Sequence, residues 1–200
     1  MDNNTFVGNT LDRGPWVLYD KQQITQAAAI PTAWQFFNLS VGQTIVGGPL
    51  AGTAKTKLQT NMLKGNQLPQ PQRFLLRSLA FYFDASTQLI DQILLTEGCY
   101  FEFKIDQKVY HEGLLQFNPS GLGLDGLPGG AAAVDLVQIG QRTLTARRDY
   151  GDYARVISDA LAFSLVLYFP TAVSATSTAN GGTNISLVAI MDGILDRLVQ

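Results

Sequence analysis

One cysteine and one histidine in 200 residues exclude a good deal of chemistry at the outset. With Cys99 alone, no intrachain disulfide can form and no thiol cluster can hold a metal, which fits assembly in a reducing cytoplasm. With His111 alone, a cupin-type metal site is out of reach, because it needs several imidazoles at strand spacing. Charge is scarce too: charged residues make up 15% of the chain, against roughly 25% in soluble domains, so a large neutral surface or contact with neighbours is expected. The net charge of −2 leaves no basic stripe for nucleic acid. The nearest cationic group, Arg142 with Arg147 and Arg148, is followed by Asp149 and Asp152 and reads as an ion-pair cluster or solvated turn. The opening MDNNTFVGNTLDRG has neither the basic nor the apolar segment of a signal peptide, so none is expected. The uncharged stretch between Asp159 and Asp192 is interrupted by Pro170 and the polar run 174–184. It reads as two buried strands and a neutral loop, since a spanning helix needs about 20 consecutive apolar residues.

What the chain does have is strand pattern. Cys99-Tyr-Phe-Glu-Phe-Lys-Ile105 alternates, with Cys99, Phe101, Phe103 and Ile105 facing in and Tyr100, Glu102 and Lys104 facing out. Asp106-Gln107 is a two-residue turn, and Lys108–Phe117 is the return strand of a hairpin. Arg73–Phe83 is the strongest strand, with Leu79, Phe81 and Phe83 on one face and Ala80 and Tyr82 on the other. Trp34–Ser40, Ala162–Phe169 and Ile185–Ile190 are further strands, with a short exposed one near Thr56–Thr60 and one or two more within Val134–Thr145. A single short helix is expected over Gln88–Leu95, after N-cap candidates at 84–87 and before Gly98.

Residues 1–33 lack sustained periodicity and read as an N-terminal arm anchored by Trp16–Tyr19, or as an edge strand at those four residues. Residues 34–200 form one all-β domain. About eight strands with no βαβ alternation give a single jelly-roll or β-sandwich with one short helix. The Gly/Ala/Pro-rich stretch 118–133 is a long loop of the kind that orders against a partner.

No constellation for catalysis emerges. A Cys99–His111 nucleophile pair would put a thiol on the apolar face of its strand, where it is inert. Asp91, Glu97, Glu102, Asp106 and Glu112 are spread over the helix and the hairpin as solvated charges. The glycines at 121, 123, 126, 129 and 130 lack the Gly-Lys-Ser/Thr and the strand–loop–helix setting of a phosphate loop. No catalytic, cofactor or metal residues are assigned, no cofactor is expected, and the chain reads as structural and not as an enzyme. A carbohydrate- or receptor-binding module is the other reading, with Trp16, Trp34, Tyr82, Tyr100, Tyr110, Tyr150 and Tyr153 as stacking platforms.

Three stretches taken in order carry a resemblance: Arg73–Asp84 followed by a short helix, Tyr100–Leu115 running on to Asn118-Pro-Ser-Gly-Leu-Gly-Leu124, and Ile185–Leu195. This order resembles the jelly-roll coat proteins of tailless icosahedral bacteriophages, including those with an internal membrane. The resemblance implies a virion subunit assembled in the host cytoplasm, partnered by copies of itself and other capsid proteins and, in the membrane-containing kind, touching an internal membrane. Its N-terminal arm would reach a neighbour, and no specific nucleic-acid binding or family active site is implied.

Overall fold

The computed structural model describes residues 11–24, 31–83, 95, 97–115, 124–125, 138–139, 150–170 and 185–198. They form β1 (Leu11–Ile24), β2 (Ala33–Phe36), β3 (Arg73–Phe83), β4 (Tyr100–Ile105), β5 (Lys108–Leu114), β6 (Leu124–Asp125), β7 (Gln138–Ile139), β8 (Arg155–Ser158), β9 (Phe163–Tyr168) and β10 (Ile185–Leu198), with a 3-10 turn at Gly151–Tyr153. β6 and β7 make a small ribbon of their own. The other eight strands make two four-stranded antiparallel sheets, β1-β10-β3-β8 and β2-β9-β4-β5. The protein is an all-β sandwich.

The pairing is nested. β4 pairs with β5, β3 with β8, β2 with β9 and β1 with β10, each antiparallel. The chain therefore folds back along its own length, and β10·β3 and β9·β4 join these pairs sideways into sheets.

Each sheet turns one face inward, as period two requires. Phe101, Phe103 and Ile105 of β4 and Phe163, Leu165 and Leu167 of β9 are buried, while Glu102, Lys104, Ser164 and Val166 are less so. The expected hairpin is present, and Asp106 takes φ 55° in its two-residue turn. Rings from the two sheets interdigitate: Phe81 of β3 packs against Phe36 of β2 (6.3 Å between centroids) and Phe101 of β4 (5.5 Å). Edge-on and tilted contacts of this kind add about 0.5–1.5 kcal/mol each beyond the area they bury.

β3 departs from simple alternation. Phe74 and Leu76 are buried in its first half, and Leu79 and Phe81 in its second, so the core-facing parity changes between them. The cause is a bulge: Ser78 pairs with Asp192 and Leu76 with Gly193, leaving the exposed Arg77 as the extra residue. Gly193 is required opposite it, because a Cβ there would stand 2.1 Å from the Leu75 carbonyl oxygen.

Residues 11–24, assigned from sequence to an arm with an edge strand as the other reading, are β1. This edge strand is paired with β10 along its whole length, from Leu11↔Leu198 to Ile24↔Ile185. Pro15, which lacks an N–H, is tolerated there because an edge strand has a side with no ladder. Of the expected helix only Leu95 and Glu97 are described. Both are helical and Leu95 is buried; the rest lies outside the described residues, as does most of 118–133. The strand expected at Thr56–Thr60 reduces to a single bridge, Asp20↔Thr60. Among the described residues no helix is long and apolar enough to cross a membrane.

Candidate functional site

The structure separates the two residues that a thiol nucleophile would need. Cys99 immediately precedes β4, whose Tyr100 pairs with Leu114, while His111 lies opposite Phe103. Four residues of strand put them about 13 Å apart. Cys99 is buried, its Sγ donates to the Leu95 carbonyl (2.7 Å), and burial pushes the thiol up to about 12. A group so placed is a core side chain.

Among the acids, Glu102 and Glu112 stand opposite each other across β4 and β5. Glu102 is held by Lys104 at 2.5 Å, and that hydrogen bond raises the Lys104 ammonium above its ordinary range. Neither glutamate lines the two concavities described below. Asp106 and Glu97 are exposed, and Asp152 is exposed in the 3-10 turn. Asp91, Arg142, Arg147, Arg148, Asp149 and the glycines 121–130 lie outside the described residues.

The aromatic residues divide. Trp34 is buried beside Phe36 (5.6 Å), Tyr82 is half-buried, and Tyr100 stacks on Tyr168 (5.2 Å). Tyr110, Tyr150 and Tyr153 gather instead around a hollow of about 240 Å³ between the β5 and β8 edges, with His111 and Arg155. His111 packs between Phe101 (4.9 Å) and Tyr150 (5.3 Å), and Lys108 and Arg155 lie over the Tyr110 ring (5.2 and 5.5 Å).

The larger concavity, about 690 Å³, lies at the other edge of the sandwich, against β1. Its walls include Trp16, Leu18, Met62, Leu63, Leu68 and Leu195. Leu18, Met62, Leu68 and Leu195 belong to the core, whereas Trp16 is 41% and Leu63 66% exposed. Arg197 covers the Trp16 ring (5.8 Å) and binds the Asp12 carboxylate through Nε (2.8 Å) and a terminal nitrogen (2.7 Å), and Lys57 and Asp192 also line the groove.

What builds this groove is the segment from Phe37 to Gln72, which runs beside β1. The Asn61 side chain accepts from the Tyr19 N–H (3.0 Å) and donates to the Val17 carbonyl (2.6 Å), and the Lys21 N–H donates to the Gln59 carbonyl (2.6 Å). Deeper in, Lys55 reaches Asp20 at 2.5 Å, with both side chains essentially solvent-free. The other Asp20 oxygen accepts from the Phe37 N–H (2.9 Å) and the Gln22 amide (3.2 Å). Burial pushes the Asp20 carboxyl above its ordinary value, against the opposing pull of Lys55. Sequence reasoning missed this pair: Asp20 and Lys55 lie far apart in the chain and no local pattern links them.

No family model matches the chain, and no curated protein or solved structure matches it either.

Proposed function

We propose that the chain is a single jelly roll serving as a structural subunit of an icosahedral bacteriophage capsid, working by self-assembly and without enzymatic activity. The observation that carries the reading is the nested pairing β1·β10, β2·β9, β3·β8 and β4·β5, divided between two four-stranded sheets. A jelly roll is an eight-stranded double sheet of this kind, and viral capsid domains are among its users. The scarcity of charge and the resemblance of 73–84, 100–124 and 185–195 to coat proteins add support. Apolar burial between subunits, at roughly 25 cal/mol per Å², would oppose the cost of ordering and immobilising them. The partners proposed are copies of this chain and other capsid proteins and, in the membrane-containing kind, an internal membrane.

Sedimentation and negative-stain microscopy of the purified full chain test this. Rings, shells or defined oligomers are expected, and a strict monomer at high concentration across salt and pH would overturn the reading. The gathering of Tyr110, Tyr150 and Tyr153 with Arg155 favours a second reading, a carbohydrate- or receptor-binding module. A glycan array with hits that are lost in Tyr153→Ala would support it.

A further inference from the structure

β8 carries its charge on the wrong side for stability alone. Arg155 pairs with Leu76 and Ile157 with Phe74, and cross-strand partners share a face. The Arg155 side chain therefore stands on the inward face of its sheet, while Val156 is turned outward, 47% exposed. On the facing sheet His111 of β5 pairs with Phe103 and packs inward against Phe101. The register shift beside it leaves Tyr110 as the extra residue of a bulge, a device that re-aims a side chain. The 3-10 turn before β8 supplies two more rings. Tyr150 caps it and Tyr153 ends it, and residues three apart in such a turn lie one above the other.

All of these side chains converge on the hollow of about 240 Å³ between the two sheet edges, whose buried lining is Leu76 and Phe103. Lys108 and Arg155 both lie over the Tyr110 ring, at 5.2 and 5.5 Å. Among the described residues neither cation is paired with a carboxylate. The acids of the flanking strand and turns, Asp106, Glu112 and Asp152, are exposed and meet neither. Two unpaired cations at one ring attract an anion. An inward charge on an edge strand also discourages edge-to-edge pairing, but that role calls for neither a second cation nor a rim of three tyrosines.

We propose that this hollow binds a single sugar ring carrying an anionic group, a carboxylate or a sulfate. The Arg155 fork takes two oxygens of the anion at once, and Lys108 adds charge beside it. Tyr153, 75% exposed, offers its ring to the apolar face of the sugar, and the Tyr110 and Tyr153 hydroxyls give the sugar hydroxyls partners. The volume lies below the roughly 300–1,000 Å³ of a drug-sized site, so it admits one ring and its substituent. The inference rests on the carbohydrate-binding reading of the tyrosine cluster and names its sugar class; a coat subunit that also assembles can carry it.

Ligand-observed NMR of the full chain tests it, with circular dichroism as the check that each variant is folded. Glucuronate and a galactose sulfate are the acidic probes, and glucose and galactose the neutral ones. One or both acidic sugars should bind in the millimolar range, about tenfold or more tightly than the neutral ones, and more weakly as salt is raised. Whichever acidic probe binds identifies the anion as carboxylate or sulfate. Arg155→Gln should remove the preference, a loss of about tenfold, and Arg155→Lys should restore only part of it. Tyr153→Ala should weaken acidic and neutral sugars alike. If neutral sugars bind as well as acidic ones and Arg155→Gln changes nothing, the acidic class is wrong while the carbohydrate reading stands. If inorganic sulfate binds as tightly as the acidic sugars, the ring contributes nothing and the sugar assignment falls. Acidic sugars that bind equally well to Arg155→Gln and Tyr153→Ala would overturn this site. Binding of no sugar at all would remove both this inference and the carbohydrate reading.

Discussion

Replacing Lys55 by Met should destabilise the fold by about 3–5 kcal/mol near neutral pH, because it leaves Asp20 buried without its counter-ion. The geometry sets the magnitude. The carboxylate is fully buried, one oxygen faces the ammonium at 2.5 Å, and the other is occupied by the Phe37 N–H and the Gln22 amide. Among the described residues Lys55 Nζ makes no hydrogen bond beyond this contact, so nothing else shares the load. The loss should depend on pH. Burial raises the Asp20 carboxyl from 3.8, and Lys55 chiefly restrains the rise, with smaller help from Phe37 and Thr60. Folded Asp20 then holds its proton more tightly than unfolded Asp20, so its contribution to stability falls as pH rises from 3.8 through the folded value. Without Lys55 the folded value rises further, and the variant's deficit shrinks as pH is lowered toward 4. Asp20→Asn combined with Lys55→Met should recover most of the loss, since no charge remains buried and the Asn oxygen still accepts the Phe37 N–H. Urea unfolding at several pH values measures this. A Lys55→Met deficit below about 1 kcal/mol, or one that does not change with pH, would refute the assignment of the pair as a buried, mutually dependent latch.

Gly193→Ala should cost about 2–4 kcal/mol by thermal or urea unfolding, because the new Cβ meets the Leu75 carbonyl at 2.1 Å and the Phe74 ring at 2.9 Å; an unchanged midpoint would contradict the bulge geometry. Phe81→Ala should cost about 3–5 kcal/mol, since its ring sits between Phe36 and Phe101 of the opposite sheet, and a loss under about 1 kcal/mol would show that the sheets do not meet there. Cys99 should resist a maleimide or a disulfide reagent at pH 8 in the native state and react promptly in denaturant, the folded thiol being pushed up to about 12; rapid native labelling would mean that the site opens.

Much of the second sheet was legible because its signals are local. The run from Cys99 to Ile105 alternates, Asp106-Gln107 closes the turn, and the return strand begins at Lys108 as expected, though it ends at Leu114 and not at Phe117. β3 was legible as a strand but only half legible as a surface. Continuing the parity of Leu79 and Phe81 back through Arg77 would turn Phe74 and Leu76 outward, yet both are fully buried. An arginine in the middle of an apolar run was the available sign of a bulge, and its confirming partner, Gly193, lies across the sheet in β10. β1 was obscured for a related reason. Its buried positions are Leu18, Asp20 and Ile24, and an acid in that series breaks the pattern that would have extended a four-residue edge strand to its full 14 residues.

The groove was illegible because none of its determinants is periodic. Residues 37–72 show no regular alternation, and what fixes them is a set of individual bonds to β1: Asn61 to Tyr19 and Val17, Lys21 to Gln59, and Lys55 to Asp20. Each links residues at least 35 positions apart, where a single sequence carries no covariation to betray it. The same bonds explain why so polar a segment exposes its largest apolar side chains. Its Thr60, Asn61 and Lys55 side chains are spent on holding β1, while Lys57 and Lys64 are exposed and Val46, Leu58 and Leu63 are left outward at 91%, 89% and 66%. A monomer gains nothing from that arrangement, since outward polar residues would solvate better at no cost to the inner bonds. Under the self-assembly proposal the arrangement has a use, because a neighbour would cover apolar side chains exposed beside β1.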